Sequence, residues 1–177
     1  MDNNTMNIFY YEDDSRQVAM FSDELVYLKF PIKVVELPLL LKKAYLQVAE
    51  AIHSKNNDFQ SLLCIIDLRV DEDTKIEEFL KFIEAKNPIK WTIHDEMFGG
   101  YAGFILCHAL KSNFQGIEDR IIVITGELQA IMLRQLRELG VKQIIEKDDR
   151  SPDLLIEAVK NAFPQSQLSS GSHTELS

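Results

Sequence analysis

The most restrictive feature of this chain is residues 61–67 (SLLCIID), apolar without interruption from Leu62 to Ile66 and closed by the carboxylate of Asp67. A strand with one wet face alternates apolar and polar side chains. A strand that does not alternate must be covered on both faces, the condition of a central strand in a parallel sheet. Residues 120–125 (RIIVIT) repeat the pattern and end in the hydroxyl of Thr125. Parallel strands cannot be joined by tight hairpins, so two such runs call for helical crossovers between strands.

The rest of the chain supplies them. Shorter β-prone runs lie at residues 6–11 (MNIFYY), 32–37 (IKVVEL) and, more weakly, 141–147 (VKQIIEK). Helical spacing follows each: Val18, Met20, Phe21 and Leu25 within 16–27, with Ser15 as the expected cap, and Leu40, Ala44, Val48 and Ile52 within 39–53, which Pro38 begins. Further helices are predicted at 103–111, 128–139 and 152–163. Strands alternating with helices predict an α/β fold, a doubly wound five-stranded parallel sheet with right-handed crossovers. At 177 residues the chain suits one medium domain, read as residues 1–163, with room for an insertion. That insertion is 71–100. It contains a predicted helix at 74–86, with Ile76, Phe79, Leu80 and Ile83 on one stripe, then an irregular stretch holding the single tryptophan, Trp91. Residues 164–177 (PQSQLSSGSHTELS) are small and polar and read as a disordered tail.

Charge narrows the function classes. A formal net charge of -9 sets the chain against direct nucleic-acid binding, because phosphate contacts would start in a repulsive field. No apolar run has transmembrane length, and the polar start MDNNTMN is no secretory signal, so a cytoplasmic location without membrane insertion is expected. Cys64 and Cys107 sit in apolar segments and read as reduced core thiols.

Open parallel sheets bind ligands beyond the carboxyl ends of their strands. Those ends carry Glu12-Asp13-Asp14 after the first strand, Asp67 on the third, Thr125-Gly126 on the fourth and Lys147 on the fifth. Each suits phosphoryl transfer to a carboxylate. Mg²⁺ is a hard cation held by one or two carboxylates plus waters and phosphate oxygens. Asp13 and Asp67 can bind it, with Glu12 holding a coordinated water, and the metal would screen the charge between attacking carboxylate and phosphoryl oxygens. Asp67 is then the nucleophile. Lys147 and the Thr125 hydroxyl can each take a phosphate oxygen, with Gly126 leaving the approach open. Singly, each has an ordinary reading: the acidic cluster as a solvated turn, Asp67 as a turn carboxylate, the other two as polar side chains. Their order along four strand ends selects the chemistry.

These segments resemble the receiver domain of two-component response regulators. YYEDDSRQV is similar to the family's acidic pair and first helix, IIDLRVD to the phosphoacceptor strand and its loop, IIVITGE to the strand with the switch threonine, and IIEKDD to the strand with the lysine. The resemblance covers about residues 6–163 without the insertion. It implies a flavodoxin-like receiver topology with strand order 2-1-3-4-5, and an acceptor that at most catalyses its own phosphorylation and dephosphorylation. By position it makes Asp67 the phosphoacceptor, Glu12 and Asp13 the acidic pair, Thr125 the switch hydroxyl and Lys147 the phosphate-binding amine. The metal would be Mg²⁺, held by Glu12, Asp13, Asp67 and the backbone carbonyl of Arg69. The implied partners are a sensor histidine kinase or histidine phosphotransfer protein, and a downstream protein, with a homodimer allowed. Output would pass through the helix after the fourth strand, the fifth strand and the last helix, with Ile131, Met132, Leu136 and Leu139 mostly in the core and Arg134, Arg137 and Glu138 exposed.

Three departures set this chain apart. Asp148 stands where the family usually has proline after the lysine, so the Lys147 loop is expected to sit differently. Ile144 stands where an aromatic switch residue is common. The insertion lengthens a loop that is normally short. These favour a rival reading, a pseudo-receiver binding module regulated without phosphate. A third reading, an aspartate-nucleophile phosphatase, is opposed by Arg69, where such enzymes carry a second aspartate. Within the insertion, His94-Asp95-Glu96 offers metal-ligand types at adjacent positions, Trp91 with Ile89 and Phe98 reads as packing, and Gly99-Gly100 as a turn. The apolar stripe of the insertion either packs on this domain or forms part of an interface with another chain; the insertion is expected to cover the pocket rim and to contribute to partner choice or self-association, the alternative being a passive surface excursion.

Overall fold

A computed structural model describes residues 6–29, 31–55, 58–70, 74–86, 101–126, 129–148 and 150–163. Five strands, β1 (Met6–Tyr11), β2 (Ile32–Glu36), β3 (Leu62–Asp67), β4 (Ile121–Thr125) and β5 (Gln143–Glu146), form one parallel sheet in the order β2-β1-β3-β4-β5. The helices are α1 (Ser15–Tyr27), α2 (Leu41–Ser54), α3 (Ile76–Lys86), α4 (Ala102–Asn113), α5 (Ala130–Glu138) and α6 (Ser151–Ala162), with a 3-10 turn Ile117–Arg120 before β4.

The unbroken run of β3 is explained by its position at the centre. All six of its residues are buried; Leu62, Cys64 and Ile66 face one core and Leu63 and Ile65 the other. β4 splits likewise, Ile121 and Val123 against Ile122 and Ile124. α1 and α6 cover one face through Val18, Phe21, Leu25, Leu155, Ile156 and Val159. α2, α4 and α5 cover the other, and α4 is buried almost all round, from Ala102 to Leu110. Both cysteines are free and buried. Among the described residues no helix is long and apolar enough to cross a membrane.

Several local expectations shift. The cap of α1 is Asp14 rather than Ser15: its carboxylate accepts from the Arg16 N–H at 3.1 Å, and a carboxylate is the stronger acceptor for orphan helix N–H groups. α2 starts at Leu41 instead of residue 39 and has no side-chain cap; its Leu41 N–H donates to the Thr74 carbonyl at 3.3 Å. α5 and β5 are shorter than 128–139 and 141–147. α5 closes in a left-handed Gly140 (φ 89°), with Gly140 N–H on the Arg137 carbonyl and Val141 N–H on that of Leu136, a double C-terminal bond that turns the chain into β5.

Of the two surfaces open to the stripe of α3, the chain's own core is the one it meets. Phe79 and Ile83 are fully buried in the core of their own domain, and Ile76, Leu80 and Phe82 pack at its margin. The Tyr45 ring of α2 meets Phe79 at 5.7 Å and Phe82 at 6.2 Å between centroids. The ammonium groups of Lys42 and Lys86 lie 5.0 and 4.8 Å from the Phe82 centroid. The stripe is therefore satisfied within the domain and is no exposed docking face. His94, Asp95, Glu96, Trp91, Ile89, Phe98, Gly99, Gly100 and the tail 164–177 lie outside the described residues, as does any part of 87–100 that would reach the pocket rim.

Candidate functional site

Register brings the strand ends together. Tyr11 pairs with Ile66, Asp67 with Ile124, and Thr125 with Glu146, so Glu12 lies level with Asp67, and Thr125 and Lys147 follow one and two rows on. The end is locked by backbone bonds: Leu68 N–H to the Ile124 carbonyl at 3.2 Å and Lys147 N–H to the Thr125 carbonyl at 2.8 Å.

Glu12 (1% exposed), Asp67 (4%) and Thr125 (0%) are among the few buried polar side chains of the described residues. Lys147 Nζ donates to Glu12 Oε2 and to Asp67 Oδ2, both at 2.8 Å. Asp67 Oδ1 also accepts from the Arg69 N–H at 3.3 Å, and Glu12 Oε1 from the Asp14 N–H at 3.3 Å. One carboxylate oxygen from each of Glu12, Asp13 and Asp67 lies within 4.8 Å of the others, and Asp13 is the most accessible of the three. Hard oxygen donors so close, backed by a single ammonium, fit a divalent cation such as Mg²⁺.

The electrostatics follow from burial. Glu12 is pushed up to about 7, chiefly because its charge is desolvated; the bond from Lys147 opposes this and the Asp67 charge adds to it. Asp67 is raised for the same first reason, with Lys147 again opposing. For Lys147 burial works against the charge, but the bonds to Asp67 and Glu12 outweigh it and the ammonium is held above its usual range. Burial, with the charges of Asp13 and Asp67, also raises Tyr11, so its phenol stays protonated.

The structure thus joins Glu12, Asp13, Asp67 and Lys147 in one cluster, with Thr125 at the adjoining strand end. The Arg69 side chain is exposed, and its backbone N–H already serves Asp67. Gly126 has open space where a Cβ would stand. Asp148, which follows Lys147, starts a local turn: its Oδ1 accepts from the Arg150 N–H at 2.9 Å, its carbonyl accepts from the Ser151 hydroxyl at 2.6 Å, and no cis peptide occurs among the described residues. Ile144 packs at the margin of the α2/α4/α5 core. On α5, Met132 and Leu136 are buried, Ile131 and the following Leu139 partly so, and Arg134, Arg137 and Glu138 exposed.

Two contributions escape a reading by motif. Gly103, in the first turn of α4, donates its N–H to the Leu68 carbonyl at 3.1 Å and packs on the backbone of Asp67; its sequence signal is a glycine inside a helical pattern. The Tyr11 hydroxyl donates to the Leu39 carbonyl at 2.9 Å; nothing local marks it.

A CheY-like response regulator receiver domain from Methanospirillum hungatei JF-1 aligns over 92% of this chain and 96% of its own, with a TM-score of 0.54 and 14% identity. The fold is that of a response-regulator receiver domain. The receiver domain of a modulated diguanylate cyclase from Desulfovibrio desulfuricans G20 aligns over 91% of this chain and 94% of its own (TM-score 0.54, 12% identity). The BeF3-activated N-terminal receiver domain of Klebsiella pneumoniae RstA aligns over 88% and 97% (TM-score 0.52, 18% identity). No family model and no curated protein matches the sequence. At such identities the likeness is one of fold, and the receiver topology 2-1-3-4-5 is the one seen here.

Proposed function

We propose that this receiver fold is a phosphoacceptor domain of two-component or phosphorelay signalling, with Asp67 as the acceptor. The observation that carries the reading is the Lys147 ammonium 2.8 Å from Asp67 Oδ2, beside two further carboxylates within metal-binding reach. In the step envisaged, Asp67 attacks the phosphorus of a phosphohistidine. A P–O bond forms as the P–N bond breaks, and the imidazole leaves as the neutral histidine side chain after taking up a proton. Lys147 and the Thr125 hydroxyl bind phosphoryl oxygens. Glu12, Asp13, Asp67 and the Arg69 carbonyl would hold Mg²⁺, which supplies charge neutralisation between carboxylate and phosphoryl group. On this reading the chain is no enzyme with a separate substrate and at most speeds its own phosphorylation and dephosphorylation.

The donor would be a sensor histidine kinase or a histidine phosphotransfer protein in the cytoplasm. Output would be contact with a downstream protein, or a homodimer, through α5, β5 and α6, and not direct nucleic-acid binding, which the charge of -9 disfavours. The test is intact-mass spectrometry after incubation with acetyl phosphate and Mg²⁺. The wild type should gain one phosphoryl group and Asp67→Asn none; equal labelling of the variant rejects the assignment.

One observation favours a second reading, a pseudo-receiver module regulated without phosphate. Lys147 bonds both Glu12 and Asp67, so the buried carboxylates have a counter-charge without metal or phosphate. A folded protein that neither binds Mg²⁺ nor labels would select it.

A further inference from the structure

The acidic turn that follows β1 is tied down by the residue before it. Tyr11, last in β1, is fully buried with Leu37, Leu41 and Ala44 in the α2 core. Its hydroxyl donates to the Leu39 carbonyl at 2.9 Å. Two residues on, the Leu41 N–H donates to the Thr74 carbonyl at the root of α3, and Leu37 N–H bonds the Tyr10 carbonyl at 2.8 Å. The β2–α2 connection is therefore held from one side by β1 and from the other by the insertion, and Tyr11 is its side-chain tie to the strand carrying Glu12 and Asp13.

We infer that Tyr11 is a positioning residue for the metal-binding carboxylates, acting through the Leu39 carbonyl to fix where β1 ends. The inference rests on the reading of Glu12, Asp13 and Asp67 as a Mg²⁺ site. The physical reason is geometric. Mg²⁺ demands near-ideal octahedral placement of its oxygens, so small displacements of a carboxylate lower affinity steeply. A phenol is a long rigid lever, and its bond to a backbone carbonyl leaves the strand end little freedom. Without the hydroxyl, the ring still fills its place in the core, but the strand end and the β2–α2 connection are no longer joined there.

The experiment is Mg²⁺ titration of the full chain by calorimetry, comparing wild type with Tyr11→Phe at a temperature where circular dichroism shows both folded. The variant should bind Mg²⁺ about three- to tenfold more weakly, a change that a merely structural role, visible only as a lower melting temperature, would not produce. Affinities within twofold overturn the inference while leaving the metal reading intact. A wild type that takes up no Mg²⁺ overturns both. Should Tyr11→Phe fail to fold, the wild type still decides: Mg²⁺ should shift the Leu40 and Leu41 amide signals in NMR, and amides that stay in place under saturating metal overturn the inference.

Discussion

Gly103 packs against Asp67 so closely that a Cβ on the glycine would stand 1.8 Å from the Asp67 carbonyl oxygen. The obstacle is backbone on both sides, the end of β3 and the first turn of α4, so neither can yield without moving the other. Gly103→Ala should therefore shift the end of β3 or lift α4, with a loss of about 1–3 kcal/mol as in overpacked cores. Urea denaturation measures it; an unchanged midpoint would show that the contact is looser than described.

Lys147 bridges two buried carboxylates, and its side chain is 23% exposed. Lys147→Met leaves Glu12 and Asp67 facing each other without a counter-charge. In the absence of metal the variant should unfold earlier, by about 1–3 kcal/mol once the partial exposure is discounted from the usual penalty for breaking a buried pair. Mg²⁺ should recover most of the loss and should bind more tightly than in the wild type, because the competing ammonium is gone. Weaker Mg²⁺ binding by the variant would count against a shared cation position.

The pH dependence of that metal effect has a definite sign. Glu12 is raised from 4.5 to about 7 by burial, and Asp67 is raised as well, so the folded state holds protons that the unfolded state releases. Their contribution favours folding below about pH 4.5 and is lost as pH rises through about 7. If Glu12, Asp13 and Asp67 hold Mg²⁺ as proposed, the metal replaces those protons. The increase in melting temperature on adding Mg²⁺ should accordingly be larger at pH 8 than at pH 5.5, and scans at the two values with and without metal check it. A larger shift at pH 5.5 contradicts the assignment.

Phe79 of α3 is fully buried and lies 5.7 Å from the Tyr45 ring. Phe79→Ala should open a cavity at a loss of about 3–5 kcal/mol, the scale of large-to-small changes in a core. A change under about 1 kcal/mol by chemical denaturation would mean that α3 is a peripheral excursion.

The doubly wound sheet was legible because its signals are local. An unbroken run such as Leu62–Ile66 reports burial on both faces whatever lies beyond it, and the residues ending each run must meet at one edge of a parallel sheet, so Asp67, Thr125 and Lys147 could be named in advance. Other features needed the folded chain. Lys147 is 135 residues from Glu12 and 80 from Asp67; that it bonds both follows only from the strand register. Periodicity showed that Phe79 and Ile83 share a stripe, but a stripe specifies a need for cover and not the surface that supplies it; packing against Tyr45 made it core. The same holds for Gly103 and Tyr11. A glycine in a helix and a tyrosine in a strand carry no local mark of function, because their roles lie in the distance to backbone carbonyls at Asp67 and Leu39, and distances between remote segments exist only once the sheet has closed.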